Sequence, residues 1–287
     1  MTDLTPPIED KIAALPFWQG RPRMQPLRGG ISNLSVLASD GSGRYVVRLT
    51  RDFPFHNVSR AREVAIARAA HAAGFAPEIV YAAPGVMVSR HIEARTLTAA
   101  DVVAALPRMA ALLRRFHTAM PPPPPDAVFD VFAVSRGYIR ALSAEAPDPR
   151  LPDWARLNAD LEARQLALPP VFGHHDLLPG NWLDDGRRLW LIDFEYAGRG
   201  APLFDLANLS SNAGLDADGS HALLAAYFGA PPTAELLAGH RTMEAASLLR
   251  EALWSLISAL HLKETGFDYR AYAEVNFTRL DAVLAEG

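Results

Sequence analysis

The chain of 287 residues contains no cysteine. A disulfide framework, a thiolate metal site and a cysteine nucleophile are therefore all excluded. Because disulfides are rare in reducing compartments, the absence of cysteine is compatible with a cytoplasmic location.

Long apolar runs and an excess of positive charge are also missing. No stretch of about 18 uninterrupted apolar residues occurs, so a membrane-spanning segment is not expected. The first residues carry Glu9 and Asp10 and lack the basic-then-apolar pattern of a secretory leader. The formal net charge is −4, which gives no basic footprint for nucleic acid and is compatible with a cationic small substrate. We expect a globular cytoplasmic protein that binds neither nucleic acid nor membrane; the sequence leaves its oligomeric state open.

The first third of the chain has the pattern of strands arranged around one helix. The turn sequence Asp40-Gly41-Ser42-Gly43 separates two β-rich runs and is typical of a hairpin. A helical segment follows, with Asn57 or Ser59 as its N-cap and Gly74 at its end. The pattern predicts a compact antiparallel α+β lobe over residues 1–91. The β-rich runs lie at 34–38, 45–50, 78–81 and 86–89.

Helical patterns dominate the remainder, residues 92–287. Thr98 is a suitable N-cap for the Ala- and Leu-rich segment 99–119, and a long helix is expected near 241–262. Five consecutive prolines at 121–125 enforce an extended stretch. We interpret this stretch as a stiff surface loop, with a ligand for a proline-binding domain as the alternative.

The most informative segment is His174-His175-Asp176-Leu177-Leu178-Pro179-Gly180-Asn181, followed by Asp193 at the end of an apolar run. His-x-Asp with an asparagine five residues after the Asp matches the catalytic loop of kinases. Phosphoryl transfer needs a group that accepts the hydroxyl proton and hard oxygen ligands for Mg²⁺. Asp176 fits the first role, and Asn181 and Asp193 fit the second. Each piece alone could be turn chemistry, but the three in this order favour a site that uses ATP and Mg²⁺.

A second group of residues fits nucleotide binding in the first lobe. Gly29-Gly30-Ile31-Ser32-Asn33 precedes the first hairpin strand, where exposed N–H groups suit phosphate oxygens. No G-x-x-x-x-G-K-[ST] loop occurs, which excludes a P-loop NTPase. Arg48 lies on the next strand at the position of a kinase's phosphate-binding lysine, and Glu63 on the following helix could form an ion pair with it. A solvated pair of unrelated charges is the alternative.

These stretches resemble the choline/ethanolamine kinase family, within the wider group of aminoglycoside phosphotransferases and protein-kinase-like proteins. Asp193-Phe194-Glu195-Tyr196 and Phe204-Asp205-Leu206-Ala207-Asn208 extend the resemblance over most of the chain. It implies an α+β, protein-kinase-like bilobal fold with a small antiparallel-sheet N-lobe and a larger, mainly helical C-lobe. It also implies an ATP- and Mg²⁺-dependent phosphotransferase that acts on an alcohol.

The resemblance implies a role for each matching residue. Asp176 would be the catalytic base, and Asn181 and Asp193 would be the magnesium ligands. Asp205 would be a buried acid that braces the catalytic loop through its backbone or through His174. The implied nucleotide contacts are Gly30, Ser32, Asn33, Arg48 and Glu63.

The identity of the acceptor depends on the C-terminal helices. Arg250-Glu251-Ala252-Leu253-Trp254 resembles the family segment whose aromatic residues line the choline pocket, where an aromatic face attracts a quaternary ammonium. Better-known choline kinases carry two tryptophans here, and Glu251 stands where one of them would be, which suits a primary amine at least as well. Plain core packing is the alternative for Trp254. The implied substrate contacts are Glu195, Glu251, Trp254 and Tyr272.

Several functions stay open at this point. Choline or ethanolamine is the favoured acceptor, and thiamine kinase and aminoglycoside phosphotransferase are alternatives with the same chemistry. A kinase-fold binding protein without turnover is the alternative from another class. A protein kinase is disfavoured because no Ala-Pro-Glu follows Asp193.

Overall fold

The computed structural model describes residues 5–27, 34–262 and 266–285. Two compact units divide these residues. The first contains the described residues up to Arg95 together with Leu183–Glu195, and the second contains Thr96–Trp182 and the described residues from Tyr196 onward. The first unit carries an antiparallel sheet and the second is mainly helical, so the predicted α+β fold class is confirmed.

The elements are numbered in chain order. The strands are β1 (Arg23–Pro26), β2 (Leu34–Asp40), β3 (Gly43–Leu49), β4 (Ile79–Ala83), β5 (Val86–Arg90), β6 (Arg95–Thr96), β7 (Val171–Gly173), β8 (Trp182–Asp184), β9 (Leu189–Leu191) and β10 (Gly198–Gly200). The helices are α1 (Pro6–Ala13), α2 (Arg60–Ala72), α3 (Ala99–Ala119), α4 (Val131–Glu145), α5 (Leu151–Arg164), α6 (Pro202–Ala213), α7 (Ala217–Phe228), α8 (Ala234–His261) and α9 (Tyr269–Ala285).

The sheet of the first unit has the strand order β1-β2-β3-β5-β4, with antiparallel pairing throughout. The predicted hairpin is present, and its register pairs Val36 with Val47. One face of the sheet buries Val36, Val47 and Val88 against Ile12 of α1. Because side chains alternate along a strand, Arg48 points to the face opposite the one that Val47 buries.

Helix α2 begins where Ser59 caps it, with the Ser59 hydroxyl accepting a hydrogen bond from the Arg62 N–H at 3.4 Å. Its buried face includes Arg60, Glu63 and Ile66, which lie three residues apart. The chain after β9 is fixed because the Leu191 N–H donates to the carbonyl of Phe75 at 2.9 Å. Strand β3, helix α2 and the segment after β9 therefore bring their charged side chains together within the first unit.

Helix α8 organises the second unit and packs against α4, α5, α6 and α9. It begins seven residues before the predicted position 241, because the hydroxyl of Thr233 accepts from the Leu236 N–H and caps the helix there. Helix α3 starts after Thr98 as predicted, and the Asp101 carboxylate accepts from the Thr98 N–H at 2.8 Å. The prolines at 121–125 follow α3 and form neither helix nor strand. Among the described residues, no helix combines the length and apolarity that crossing a bilayer would require.

Candidate active site

A cluster of two arginines and three carboxylates lies in the first unit. We call it the arginine cluster; its members are Arg48, Arg60, Glu63, Asp193 and Glu195. Arg48 donates from Nη2 to Glu63 Oε1 at 2.6 Å and from Nη1 to Asp193 Oδ1 at 2.9 Å. Arg60 donates from one nitrogen to Glu63 Oε2 at 2.7 Å and to Glu195 Oε2 at 2.6 Å. The predicted ion pair between Arg48 and Glu63 is therefore present, and it belongs to a network that the sequence did not indicate.

Burial and charge oppose each other in the arginine cluster. Burial favours a lower pKa for Arg48, but the carboxylates of Asp193, Glu63 and Glu195 outweigh it and raise the pKa above its usual range. Burial raises the pKa of the Glu195 carboxyl, the negative charge of Asp193 adds to the rise, and Arg60 opposes it. The cluster therefore places three carboxyl groups around two guanidinium groups. Asp193 has the most exposed side chain of the three, at 28% against 2% for Glu63 and 8% for Glu195.

The predicted nucleotide contacts divide between described and undescribed residues. Arg48 and Glu63 lie in the arginine cluster. Gly30, Ser32 and Asn33 lie outside the described residues. Glu195, predicted as a substrate contact, is 7% exposed and its carboxylate is engaged by Arg60, while its role toward a substrate stays a prediction.

In the second unit the segment after β7 carries Asp176, and two side chains of α6 hold its backbone. Asp205 accepts from the His174 N–H through Oδ2 at 2.8 Å and from the His175 N–H through Oδ1 at 2.7 Å. Asn208 Oδ1 accepts from the Leu177 N–H at 2.6 Å. The N–H groups on either side of Asp176 are thus fixed from one helix. The predicted brace from Asp205 is present, and it runs through the loop's backbone.

Asp205 is itself held by a histidine that the sequence analysis missed. His117 of α3 donates from Nε2 to Asp205 Oδ2 at 2.8 Å, and its Nδ1 lies 2.7 Å from the hydroxyl of Tyr227. Burial alone would raise the pKa of Asp205, but the neighbouring histidines and the His174 N–H outweigh it and hold the pKa well below its usual range. Asp205 is therefore a buried anion whose charge is compensated by hydrogen bonds.

Asn181 lies at the end of a short 3-10 turn, Pro179–Asn181, next to Asp176. Its Nδ2 donates to the Asp176 carbonyl at 2.8 Å and to Asp176 Oδ2 at 3.2 Å. These bonds fix the amide orientation, so the Oδ1 of Asn181 faces away from Asp176 and accepts no hydrogen bond from a described residue. An amide oxygen in this state is a hard ligand of the kind that magnesium takes.

A second cluster in this unit gathers around α8. We call it the α8 cluster; its members are Tyr196, Arg250, Glu251, Trp254 and Tyr272. Glu251 accepts from Arg250 Nη1 at 2.7 Å and from the Tyr272 hydroxyl at 3.1 Å, so both carboxylate oxygens are engaged. Trp254 donates from Nε1 to the Tyr196 hydroxyl at 2.9 Å, and the Arg250 guanidinium lies 4.5 Å from the centre of the Tyr196 ring. Three of the predicted substrate contacts, Glu251, Trp254 and Tyr272, thus belong to one hydrogen-bonded group.

The charge of Asp176 reaches the α8 cluster. Burial favours a lower pKa for Arg250, and Glu251 outweighs it, with Tyr196, Tyr138 and Asp176 adding to the rise. The pKa of Tyr272 is raised by burial first and by Glu251 next, with a contribution from Asp176. Asp176 therefore lies within electrostatic range of the pair that holds Glu251.

Sequence reasoning gave no role to Arg60, His117, Tyr227 or Arg250, and of these only Arg250 had a usable signal. Arg250 directly precedes Glu251 in the long, mostly apolar helix α8. Two adjacent charged residues in such a helix are a sign that can be read from the sequence. Arg60, His117 and Tyr227 had no signal, because each contacts a partner through the tertiary fold. Among the described residues, no group of three or more His, Asp or Glu side chains is arranged to hold a metal ion.

An α+β fold with an arginine–glutamate pair beside its sheet, and an aspartate–asparagine loop braced by a buried acid, defines a kinase-like phosphotransferase. The sequence matches the phosphotransferase enzyme family over residues 23–244, and the chain belongs to that family. It is therefore a phosphotransferase enzyme.

Relatives by sequence and by structure agree with this assignment. The chain is 27% identical over 274 residues to protein LicA of Haemophilus influenzae, covering 89% of this chain and 77% of LicA. It is 32% identical over 215 residues to a probable ethanolamine kinase of Arabidopsis thaliana, spanning 56% of that longer protein. A choline/ethanolamine kinase family protein from Mesorhizobium loti superposes with a TM-score of 0.79 at 30% identity, covering 96% of this chain and 93% of that one. Choline kinase LicA from Streptococcus pneumoniae has the same fold, with a TM-score of 0.79 at 22% identity and 98% of each chain covered.

Proposed function

We propose that this phosphotransferase transfers the γ-phosphoryl group of ATP to the hydroxyl of a small cationic alcohol, with choline or ethanolamine as the favoured acceptor. The observation that carries the proposal is the carboxylate of Glu251, held by Arg250 and Tyr272 beside the rings of Tyr196 and Trp254, in the same unit as Asp176. A base for the hydroxyl and a carboxylate among aromatic rings for the amine would then serve the two ends of one small molecule.

Asp176 is proposed as the base that accepts the proton of the attacking hydroxyl. Its backbone is fixed by Asp205 and Asn208, and its carboxylate accepts from Asn181. Such rigid placement favours catalysis because a base must lie within hydrogen-bond reach of the proton that it removes.

Arg48 is proposed to contact the ATP phosphates, with Glu63 holding its guanidinium, and Gly30, Ser32 and Asn33 are proposed to cover them. The Nε of Arg48 has no hydrogen-bond partner among the described residues, so one donor of this buried cation is left over. In this proposal residues 1–91 form the nucleotide-binding lobe and 92–287 the catalytic and acceptor-binding lobe.

Magnesium ions are proposed to be held by Asn181 and Asp193. Asn181 offers its amide oxygen, and Asp193 has the most exposed carboxylate of the arginine cluster. The metal would neutralise charge on the phosphates during transfer. The residues present fit this role, since magnesium takes few protein ligands and prefers hard oxygens.

The names of the relatives support the choice of acceptor, because they include choline and ethanolamine kinases. Glu251, Trp254 and Tyr272 are proposed to bind the amine end of the acceptor through a carboxylate and aromatic rings. For Glu195 we propose an indirect contribution, since its contacts within the first unit are with Arg60 and Arg48.

The test is ADP release by the purified protein with Mg-ATP and choline, ethanolamine, thiamine or an aminoglycoside. We expect choline or ethanolamine to stimulate turnover, and Asp176→Asn to reduce kcat by roughly 10²–10⁴. Asp153→Asn, at an exposed site on α5, is the matched control and should leave turnover unchanged. Stimulation only by thiamine or by an aminoglycoside would replace the acceptor assignment, and ATP binding without any stimulation would contradict the proposed chemistry.

A further inference from the structure

His175, the residue before Asp176, has a backbone conformation that side chains rarely adopt. Its φ is +63°, and only Asn57 and Asp193 share a positive φ among the described residues other than glycine. A left-handed residue is held in place by its surroundings, so its contacts are a guide to its role.

The imidazole of His175 fills a slot that two glycines leave open. Gly173 of β7 and Gly200 of β10 lie on paired antiparallel strands. A Cβ on either glycine would come within 2.3 Å of His175 Nε2. The ring also stacks on Phe129, with centroids 4.5 Å apart and planes 9° from parallel. The absence of side chains at Gly173 and Gly200 leaves the space that the imidazole occupies, and the stack on Phe129 fixes its orientation there.

Two hydrogen bonds connect His175 to different parts of the second unit. Its N–H donates to Asp205 on α6 at 2.7 Å, and its Nδ1 donates to the carbonyl of Tyr196 at 3.1 Å. Tyr196 belongs to the α8 cluster through Trp254 and Arg250. His175 thus links the backbone next to Asp176 to the backbone of Tyr196, a member of the α8 cluster.

The ring serves as a fixed donor. With the proton on Nδ1, a neutral imidazole has its lone pair on Nε2, which is buried and has no hydrogen-bond partner in the described part of the chain. The side chain of His175 is fully enclosed, at 0% exposure, so it has no access to a substrate.

We propose that His175 is a positioning residue that sets the place of the Asp176 carboxylate relative to the Tyr196 side of the α8 cluster. The inference rests on the proposed role of Asp176 as the base. If His175 only filled space, any substitution that restored the packing would also restore kcat. If it positions Asp176, a variant with restored packing would still have a lower kcat.

Two glycine-matched variants separate these roles. Gly173→Ala alone should lower the Tm because the new methyl meets the ring, and Gly173→Ala with His175→Asn should regain Tm because the slot is then empty. We expect the double variant to keep a KM for ATP within about twofold of wild type while its kcat stays about 10- to 100-fold lower. Wild-type kcat in a double variant with wild-type Tm would overturn the proposal.

A second variant covers the case in which the double variant does not regain stability. His175→Phe keeps a ring for the stack on Phe129 but removes the Nδ1–H that Tyr196 accepts. We expect a lower kcat with an unchanged KM for ATP, and wild-type kcat would again contradict a positioning role. Asp176→Asn in the same assay separates the two levels. If it retains turnover the proposed base is wrong, and if it loses turnover while the His175 variants do not, only the positioning inference fails.

Discussion

The two oxygens of the Glu63 carboxylate accept hydrogen bonds from different arginines: one from Arg48 of β3 and the other from Arg60, three residues earlier on α2. Glu63 is 2% exposed, and its two partners are also largely buried. Removing the Glu63 carboxylate would leave each of the two arginines with one buried hydrogen-bond acceptor fewer, which costs more than losing a surface ion pair. The position of Arg48 therefore depends on Glu63.

Glu63→Gln tests this dependence. We expect the free energy of unfolding to fall by about 2 kcal/mol, because the amide keeps one acceptor and loses the charge. The KM for ATP should rise several-fold, since Arg48 is the proposed phosphate contact. Chemical denaturation and steady-state kinetics measure both, with the exposed Glu235→Gln of α8 as the control. An unchanged KM for ATP would separate Arg48 from the nucleotide.

Asp205→Asn should be more damaging than its conservative chemistry suggests. The carboxylate accepts from two backbone N–H groups and from His117, and it is fully buried. An asparagine side chain turns one of these acceptors into a donor that faces another donor, which costs about 3 kcal/mol or more. We expect a large drop in Tm and a lower kcat. Asp218→Asn, exposed on α7, is the control and should match wild type in both measurements.

The sequence predicted those features that depend on local chemistry. The hairpin turn at 40–43, the cap at Ser59 and the cap at Thr98 follow from a few adjacent residues, and all three are present. The Arg48–Glu63 pair was also predicted, because the two residues match the positions of a kinase's phosphate-binding lysine and of the helix glutamate that pairs with it, and the pair is present.

The sequence could not predict contacts between distant segments. His117 and Asp205 are 88 residues apart, and neither strand nor helix periodicity relates them. Arg60 has the same limitation, since a charged residue in a first helical turn is usually solvated, and its partner Glu195 lies 135 residues away. The slot formed by Gly173 and Gly200 was equally hidden, because glycine in a strand indicates a close approach without identifying the neighbour.

The buried side chains of His175 and His240 should each destabilise the protein on mild acidification, while Glu195, whose pKa is raised, acts in the opposite direction. Burial lowers the pKa of His175 to about 4 and that of His240 to about 4, whereas a solvent-exposed histidine has a pKa of 6.5. Between these values each histidine binds its proton more readily in the unfolded chain than in the folded one, so its contribution to stability is complete above pH 6.5 and is lost as the pH falls toward 4. Asp205, whose pKa is lowered, adds its own loss only when the pH falls below the ordinary carboxyl range.

Each buried histidine should contribute about 2 kcal/mol of this loss between pH 7.5 and pH 5. His175→Asn should therefore show a shallower fall in unfolding free energy over that interval, whatever its stability at pH 7.5. The measurement is urea denaturation at several pH values, with the exposed His221→Asn of α7 as the control. A fall as steep as that of wild type would mean that His175 does not remain neutral in the folded state.

Tyr272→Phe isolates the α8 cluster from the rest of the enzyme. The substitution removes one hydroxyl, which donates to Glu251 at 3.1 Å, and leaves the Arg250–Glu251 bond in place. We expect a loss of stability near 1 kcal/mol, since one neutral donor to a charged acceptor is lost. If the α8 cluster binds the amine of the acceptor, the KM for the acceptor should rise about threefold to tenfold, because the Glu251 carboxylate loses a hydrogen bond that orients it. The KM for ATP should stay constant. Initial rates with both substrates varied measure the two constants, and Asp281→Asn, at an exposed position of α9, is the control. A rise in the KM for ATP with no change for the acceptor would move the amine-binding role away from α8.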